Sequence, residues 1–215
     1  MEFEIPGKTA LELNCSRLAV VGYAGRNVAE VKAHIAELAQ HGVPVPKEIP
    51  AVWDVPPESL SQATAIDARA SGTSGEVEPV LLFHSSGVYV TVGSDHTDRE
   101  LERTSMERAK AAFPKVVARQ CWLLASVRSV WDQLELRSDI EIDGVWHRYQ
   151  EGTLAQLLPL EWFVERFSDR VDTVAFCGTV STLGGMETAA TAFRISLRNP
   201  TNSQEIVWQY RIGSS

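Results

Sequence analysis

The sequence predicts an α+β chain in a single domain, predominantly β, with a curled or rolled mixed sheet and two or three helices. Three observations lead there. Short apolar or alternating runs bounded by turn residues recur along the chain and outnumber the segments of helical period. A length of 215 residues suffices for one substantial core, and hydrophobic and charged fractions of 44% and 22% are ordinary for a globular protein. No internal repeat or low-complexity tract divides residues 1–215, which read as an N-terminal part over about 22–72 and a β core over about 73–215.

The elements follow in order. Leu18-Ala-Val-Val-Gly22 is an apolar run ending at glycine, as a buried strand requires. Val28, Val31, Ile35 and Leu38 recur at helical steps, with Asn27 as cap and Glu30 as the acid reaching back. That helix is predicted to stop near Gly42, ahead of Pro44 and Pro46. Residues 43–72 have no strong period and read as an ordered surface loop anchored by Val52, Trp53 and Val55. Val80–Phe83 and Val88–Val92 form a predicted hairpin around His84-Ser-Ser-Gly87. Residues 100–112 are charged and helical, ending before Pro114.

The second half is strand-rich. Leu134-Glu-Leu136 and Ile140-Glu-Ile142 alternate, and Asp143-Gly144 signals a hairpin turn into Val145–Tyr149. A helix is expected over about 153–167, with Pro159 kinking or splitting it. Val171–Cys177 reads as a buried strand leading into a glycine-containing turn at 178–185. Ala192–Leu197 and Ile206–Ile212 are the last strands, around the turn Asn199-Pro-Thr-Asn202.

Bulk properties exclude several functions. A net charge of -8 argues against nucleic acid or an anionic membrane surface as partner. No apolar stretch approaches the ~20 residues that span a bilayer. Met1-Glu-Phe-Glu-Ile5 carries no export signal, and Cys15, Cys121 and Cys177 lie far apart, so a cytoplasmic protein with reduced thiols is expected. Nucleophile-elbow, phosphate-loop and dinucleotide fingerprints do not occur.

The most informative residues are acidic. Glu76 and Glu78 sit two apart in a strand, so both carboxylates project to one face while Val77 faces the other. Like charges that close destabilise each other unless water, a proton or a cation intervenes. If Asp95 converges on them, an all-oxygen cradle results that suits a hard dication such as Mg2+ or Mn2+. His84 shares strand parity with Glu78 but lies about 20 Å along the strand at ~3.3 Å per residue, too far to join it. His96 either stands behind Asp95 or is solvated. Asp98 and Arg99 are expected to pair and hold the Asp95 loop. Exposed Trp146 and Trp208 are candidates for an interface.

In this order the motifs resemble those of the fumarylacetoacetate hydrolase superfamily. Gly75-Glu-Val-Glu78 is similar to its Glu-x-Glu strand, and Ser94-Asp-His-Thr-Asp-Arg-Glu-Leu-Glu102 to its Asn-Asp-x-x-x-Arg-Asp segment. Arg108-Ala-Lys110 stands near the family lysine, and Phe176-Cys-Gly-Thr-Val180 resembles the late Gly-Thr-Pro turn. Gly25-Arg-Asn27 resembles a Gly-x-Asn-Tyr signature, and His34-Ile-Ala-Glu37 a His-x-x-Glu pair on a lid helix. Ser94 replaces the usual asparagine, Val180 the proline and Val28 the tyrosine, and only about seventeen residues separate Glu78 from Asp95. The nearest likeness is to an uncharacterised bacterial family of about this length, distantly related to that superfamily.

The resemblance implies a fold of that type, with a lid over about 22–72 and a metal-binding β core after it. It implies Mg2+ or Mn2+ on Glu76, Glu78 and Asp95, with Ca2+ able to stand in within a crystal. Lys110, or else Lys115, would stabilise developing negative charge; Thr179, the amides around Gly178, and Arg26 would bind a substrate carboxylate. His34, oriented by Glu37, would activate water. The implied activity is hydrolysis of a C–C bond in an acylpyruvate-like 2-oxo acid through a metal-stabilised enolate. The alternatives are a lyase on a 2-oxo acid and a non-catalytic ligand-binding protein. A small anionic 2-oxo acid and a second copy of the chain, as a homodimer, are the partners implied.

Overall fold

The computed structural model describes residues 1–68 and 73–213. A short ribbon of β1 (Glu2–Phe3) and β2 (Leu11–Glu12) precedes β3 (Arg17–Gly22). Helix α1 (Val28–Gln40) follows, with the Asn27 side chain accepting from the amides of Ala29 and Glu30 while its Nδ2 donates to Glu30 Oε1 at 2.7 Å. That reciprocal cap is the one the sequence predicts.

The expected loop at 43–72 contains more order than its composition suggests. β4 (Ala51–Val55) pairs antiparallel with β3, and after a 3-10 turn come the two-residue strands β5 (Leu60–Ser61) and β6 (Ala65–Ile66). Val52, Trp53 and Val55 are therefore strand residues, held by a partner distant in sequence; residues 69–72 of the segment lie outside those described. The predicted hairpin is far longer than expected: β7 (Thr73–His84) and β8 (Gly87–Asp98) pair along their whole length. The polar halves of both strands, invisible to an apolar pattern, are kept extended by this ladder.

The predicted helix at 100–112 is broken in two. Asp98 Oδ1 accepts from the amides of Glu100 and Leu101, both at 2.9 Å, starting a 3-10 turn at Leu101–Arg103. Ser105 then caps α2 (Met106–Ala111). β9 (Lys115–Val117), β10 (Trp122–Leu123) and the single turn α3 (Leu124–Val127) follow. β11 (Glu135–Ile142) and β12 (Val145–Thr153) meet at Asp143-Gly144, where φ is 50° and 78°. Both angles are left-handed, as a two-residue hairpin turn of this kind demands. Pro159 splits the next segment into a 3-10 turn and α4 (Leu160–Phe167). β13 (Thr173–Phe176), β14 (Ala192–Asn199) and β15 (Gln204–Ile212) complete the chain.

Two larger sheets result among the described residues. One runs β4-β3-β13-β7-β8-β9-β5, with β10 also on β8; the other runs β12-β11-β14-β15-β6. Both are mixed, since β13–β3, β9–β5 and β15–β6 are parallel. The first sheet curls and is buried on both faces, which explains the unbroken apolar runs of β3 and β7. Val77, Leu81, Val90 and Val92 face a core shared with Leu136, Phe193 and Ile195 of the second sheet. Val80, Leu82, Tyr89, Leu18 and Phe176 face a second core on the other side. The second sheet presents its outer face, with ion pairs such as Arg148 to Asp139, to solvent. None of the helices among the described residues is long and apolar enough to cross a membrane.

Candidate active site

The open end of the β7–β8 hairpin carries the charge. Glu76 and Asp95 are direct cross-strand partners, and Glu78 faces Gly93. By strand parity all three carboxylates leave the same face, together with Thr97. Glu78 and Asp95 are buried, and Glu76 keeps a side-chain exposure of 16%. Gly93 is required here: a Cβ would stand 2.6 Å from the Phe176 ring, 2.7 Å from Val116 O and 2.8 Å from Val80.

Three cations surround the patch. Lys110, projected by α2, contacts Asp95 Oδ2, Thr97 Oγ1 at 3.2 Å and Glu76 Oε2 at 3.9 Å. Lys115 opens β9 opposite Asp95; its Nζ lies 2.8 Å from Asp95 Oδ1 and donates to His96 O at 2.6 Å. Arg99 donates to Ser74 Oγ at 2.7 Å and Glu102 Oε2 at 2.9 Å, and its Nη2 lies 3.6 Å from Glu76 Oε2.

Burial alone would raise the Asp95 carboxyl, but the two ammonium groups outweigh it and bring its pKa down to about 2. Burial pushes Glu78 the other way, well above the usual carboxylate range, and the Asp95 charge adds to it. Lys110 and the Gly178 amide, which donates to Glu78 Oε2 at 2.8 Å, pull it back. Lys110 is raised because Asp95, Glu76 and Glu78 overcome its desolvation, whereas burial prevails at Lys115 and lowers it. The centre thus holds one firmly ionised carboxylate, Asp95, with two lysines against it, beside a second whose ionisation is opposed by burial and by its neighbours' charge.

A second network holds the floor. β13 pairs with β7 only from Val80 to Phe83, so Val77, between the two glutamates, has no strand partner on that side. Its amide donates to Gln150 Oε1 at 2.9 Å, and its carbonyl accepts from Thr179 Oγ1 at 2.7 Å. Gln150, reaching in from β12, also accepts from Ser138 Oγ at 3.0 Å and donates to Thr179 Oγ1 and Val180 O, each at 2.7 Å. One buried amide therefore completes the ladder and ties the 178–180 turn to the acidic strand. Gly178 itself has φ 88°, and a Cβ there would come within 2.5 Å of Ala24 Cβ. Only glycine fits that backbone.

Other sequence-predicted residues stand elsewhere or work differently. The amide of Gly178 and the hydroxyl of Thr179 donate inside the protein, to Glu78 Oε2 and Val77 O, and so brace the acidic strand. Arg26 forms a two-pronged pair with Asp132, both contacts at 2.8 Å, and donates to Leu157 O. That guanidinium fastens the start of α1 to the second half of the chain. His34 and Glu37 are exposed on α1, by 57% and 70%, with 3.8 Å between Nδ1 and Oε2. They make a loose surface pair, separate from the buried carboxylate patch.

His96 is neither behind the carboxylates nor solvated: it points to the opposite face, within hydrogen-bonding distance of Thr73 Oγ1 and Tyr210. Burial, with Lys115 nearby, brings its pKa down to about 3, so it is neutral. Arg99 pairs with Glu102, while Asp98 caps the following turn. His84 is at the far end of the hairpin, bonded to Ser86 at 2.7 Å. Trp146 and Trp208 are half-buried, covered by the guanidinium groups of Arg194 and Arg119 at 4.5 and 5.6 Å.

Two residues escaped the sequence reading. Gln150 has no local signature, since its partners are scattered over the chain. Tyr23 adopts φ 57°, uncommon for a residue with a side chain. Its half-buried phenol is raised by burial and then by Glu102, and it also feels Lys110 and Glu76.

Among the described residues no three His, Cys, Asp or Glu side chains are arranged to hold a metal ion as they stand. The donor chemistry nevertheless fits one. All three carboxylates are hard oxygen ligands on one face. Glu78 suffers from the charges of Asp95 and Glu76, a repulsion that a dication relieves. Lys110 stands between two of the three.

The fold is that of the fumarylacetoacetate hydrolase superfamily. A protein assigned to that family from Yersinia pestis CO92 superposes with a TM-score of 0.68 at 18% identity, covering 99% of this chain and 100% of its own. Fumarylpyruvate hydrolase from Pseudomonas aeruginosa, solved with Mn2+ and pyruvate, gives 0.60 at 16% identity over 99% and 96%. A 2-keto-3-deoxyarabinonate dehydratase gives 0.64 at 13% identity over 93% and 75%. At such identities the likeness establishes the fold. No curated protein matches the sequence. Residues 21–210 match the family described as "Protein of unknown function (DUF2848)", and the chain belongs to that family.

Proposed function

We propose that this chain is a divalent-metal-dependent enzyme acting on a small 2-oxo acid, cleaving a C–C bond in an acylpyruvate-like substrate. The observation that carries the reading is the placement of Glu76, Glu78 and Asp95 on one face of a single hairpin, with Lys110 and Lys115 against Asp95. Glu76, Glu78 and Asp95 would hold Mg2+ or Mn2+, which when bound would polarise the oxygens of a 2-oxo acid as a Lewis acid. The two buried ammonium groups offer positive charge to a substrate oxygen as negative charge grows on it, in a setting screened from water. Gln150 and Thr179 keep the glutamate strand in position. The Mn2+ and pyruvate of the Pseudomonas structure support the same ligand chemistry.

A lyase on the same site is the second reading, and the exposure of His34 favours it. Decarboxylation or dehydration needs no histidine beside the carboxylates, whereas hydrolysis needs a base that activates water.

The test starts from chelator-treated protein. Mn2+ at about a hundred times its Kd should stabilise the fold by about 2.7 kcal/mol, or roughly 5–10 °C in melting temperature for a chain of this length. Glu78→Gln should abolish that shift. Oxaloacetate decarboxylation and acylpyruvate cleavage are then assayed with and without His34→Ala. Loss of cleavage alone supports the hydrolase with His34 as its base; indifference of both removes His34 from the mechanism, and oxaloacetate decarboxylation with no acylpyruvate cleavage in wild type assigns a lyase. No Mn2+ effect and no turnover would leave a ligand-binding protein of this fold.

A further inference from the structure

The ammonium of Lys110 is surrounded by oxygens that the reading above gives to a dication. It touches Asp95 Oδ2, stands 3.9 Å from Glu76 Oε2, and has Thr97 Oγ1 at 3.2 Å. The side chain is buried, 8% exposed, so this contact is enclosed by the protein and not a chance meeting in solvent. Asp95 is meanwhile held from its other oxygen by Lys115 at 2.8 Å, which leaves its carboxylate partnered even without Lys110. Glu76 likewise retains Arg99 at 3.6 Å. Two cations are therefore anchored supports, while Lys110 is a third, on a flexible four-carbon stem from the six-residue helix α2.

We infer that Lys110 is a tethered counter-ion that competes with the dication for the Glu76–Asp95 centre, so that metal entry requires its ammonium to withdraw from Asp95. The inference deepens the metal-dependent reading and rests on it. Like charges repel at this range, and a dication sharing Asp95 with an undisplaced ammonium loses much of the attraction that draws it in. Lys110 thereby sets how readily the site fills, which makes it a determinant of metal affinity in addition to its charge toward the substrate.

The experiment is a Mn2+ titration, by calorimetry, of chelator-treated full-length wild type, Lys110→Met and Lys110→Gln. Far-ultraviolet circular dichroism checks the fold of each. Both variants should bind Mn2+ at least about ten-fold more tightly than wild type. Binding by the variants alone would support Lys110 as the occupant while refuting wild-type metal dependence. Binding by wild type with equal or weaker affinity in the variants would overturn the competition and leave the metal reading standing. Absence of binding in all three overturns both. Should neither variant fold, wild-type crystals soaked in MnCl2 decide the matter. An ion on the carboxylates with the Lys110–Asp95 contact broken is expected. An ion beside an intact contact, or no ion, overturns the inference.

Discussion

Replacing Gln150 with leucine tests whether one buried amide links the two halves of the site. Leucine fills a similar volume, so the cost is polar and not a cavity. Four hydrogen bonds of 2.7 to 3.0 Å disappear, but their loss is unequal. Thr179 Oγ1 still donates to Val77 O, and Val180 O still has Thr179 Oγ1 at 3.3 Å. The Val77 amide and the Ser138 hydroxyl lose their acceptor inside the protein. An orphaned buried donor costs about 1–3 kcal/mol, so the pair predicts a destabilisation of about 3 kcal/mol. For a chain of this length that lowers the melting temperature by roughly 6–12 °C. Urea denaturation of wild type, Gln150→Leu, Ser138→Ala and the double variant gives the energies and their coupling. Because the alanine removes one stranded donor, the double variant should lose less than the sum of the singles. A leucine variant within about 0.5 kcal/mol of wild type, the range of an inconsequential surface change, would refute the reasoning.

Three further outcomes follow from the same geometry. Asp95 titrates at about 2 in the fold against 3.8 when unfolded, so its contribution is present above pH 4 and is lost as pH falls toward 2. At about 1.4 kcal/mol per unit this amounts to about 2 kcal/mol. Glu78, raised above 4.5, acts oppositely and adds stability as pH falls through its raised value toward 4.5. His96, brought from 6.5 down to about 3, takes stability away as pH falls through the same window. The Glu78 gain is therefore read from the difference in urea midpoints between wild type and Glu78→Gln from pH 8 to 4; a difference that does not change with pH would contradict the Glu78 assignment. Gly93→Ala should cost about 2–3 kcal/mol, because one of the three obstructing atoms is backbone and cannot turn aside; equal urea midpoints would show that the strands part easily. Arg26→Gln breaks an exposed pair and should cost under about 1 kcal/mol without changing oxalate affinity in the presence of Mn2+; a large loss of oxalate binding would assign Arg26 to the substrate carboxylate.

Local chemistry was the legible part. The Asn27–Glu30 cap, the Asp143-Gly144 turn and the break at Pro159 involve residues within a few positions of one another, so short-range preference decides them. Strand parity likewise put Glu76 and Glu78 on one face before any contact was known. The polar end of β8, beyond Val92, was unreadable because its extension is enforced by pairing with β7 and not by an apolar pattern. β4 was missed for a similar reason: its partner, β3, lies some thirty residues earlier.

What the sequence determined by itself is the order of elements, the common face of the glutamate pair and the family likeness carried by short motifs, since all three depend on spacing along the chain. Tertiary structure alone decided which charges meet: that Arg26 closes on Asp132, that His96 turns into the core, that Gln150 reaches Val77, and that Lys110 and Lys115 both arrive at Asp95. Electrostatic and hydrogen-bond energies fall off over a few ångströms in space, and separation along the chain does not specify that distance.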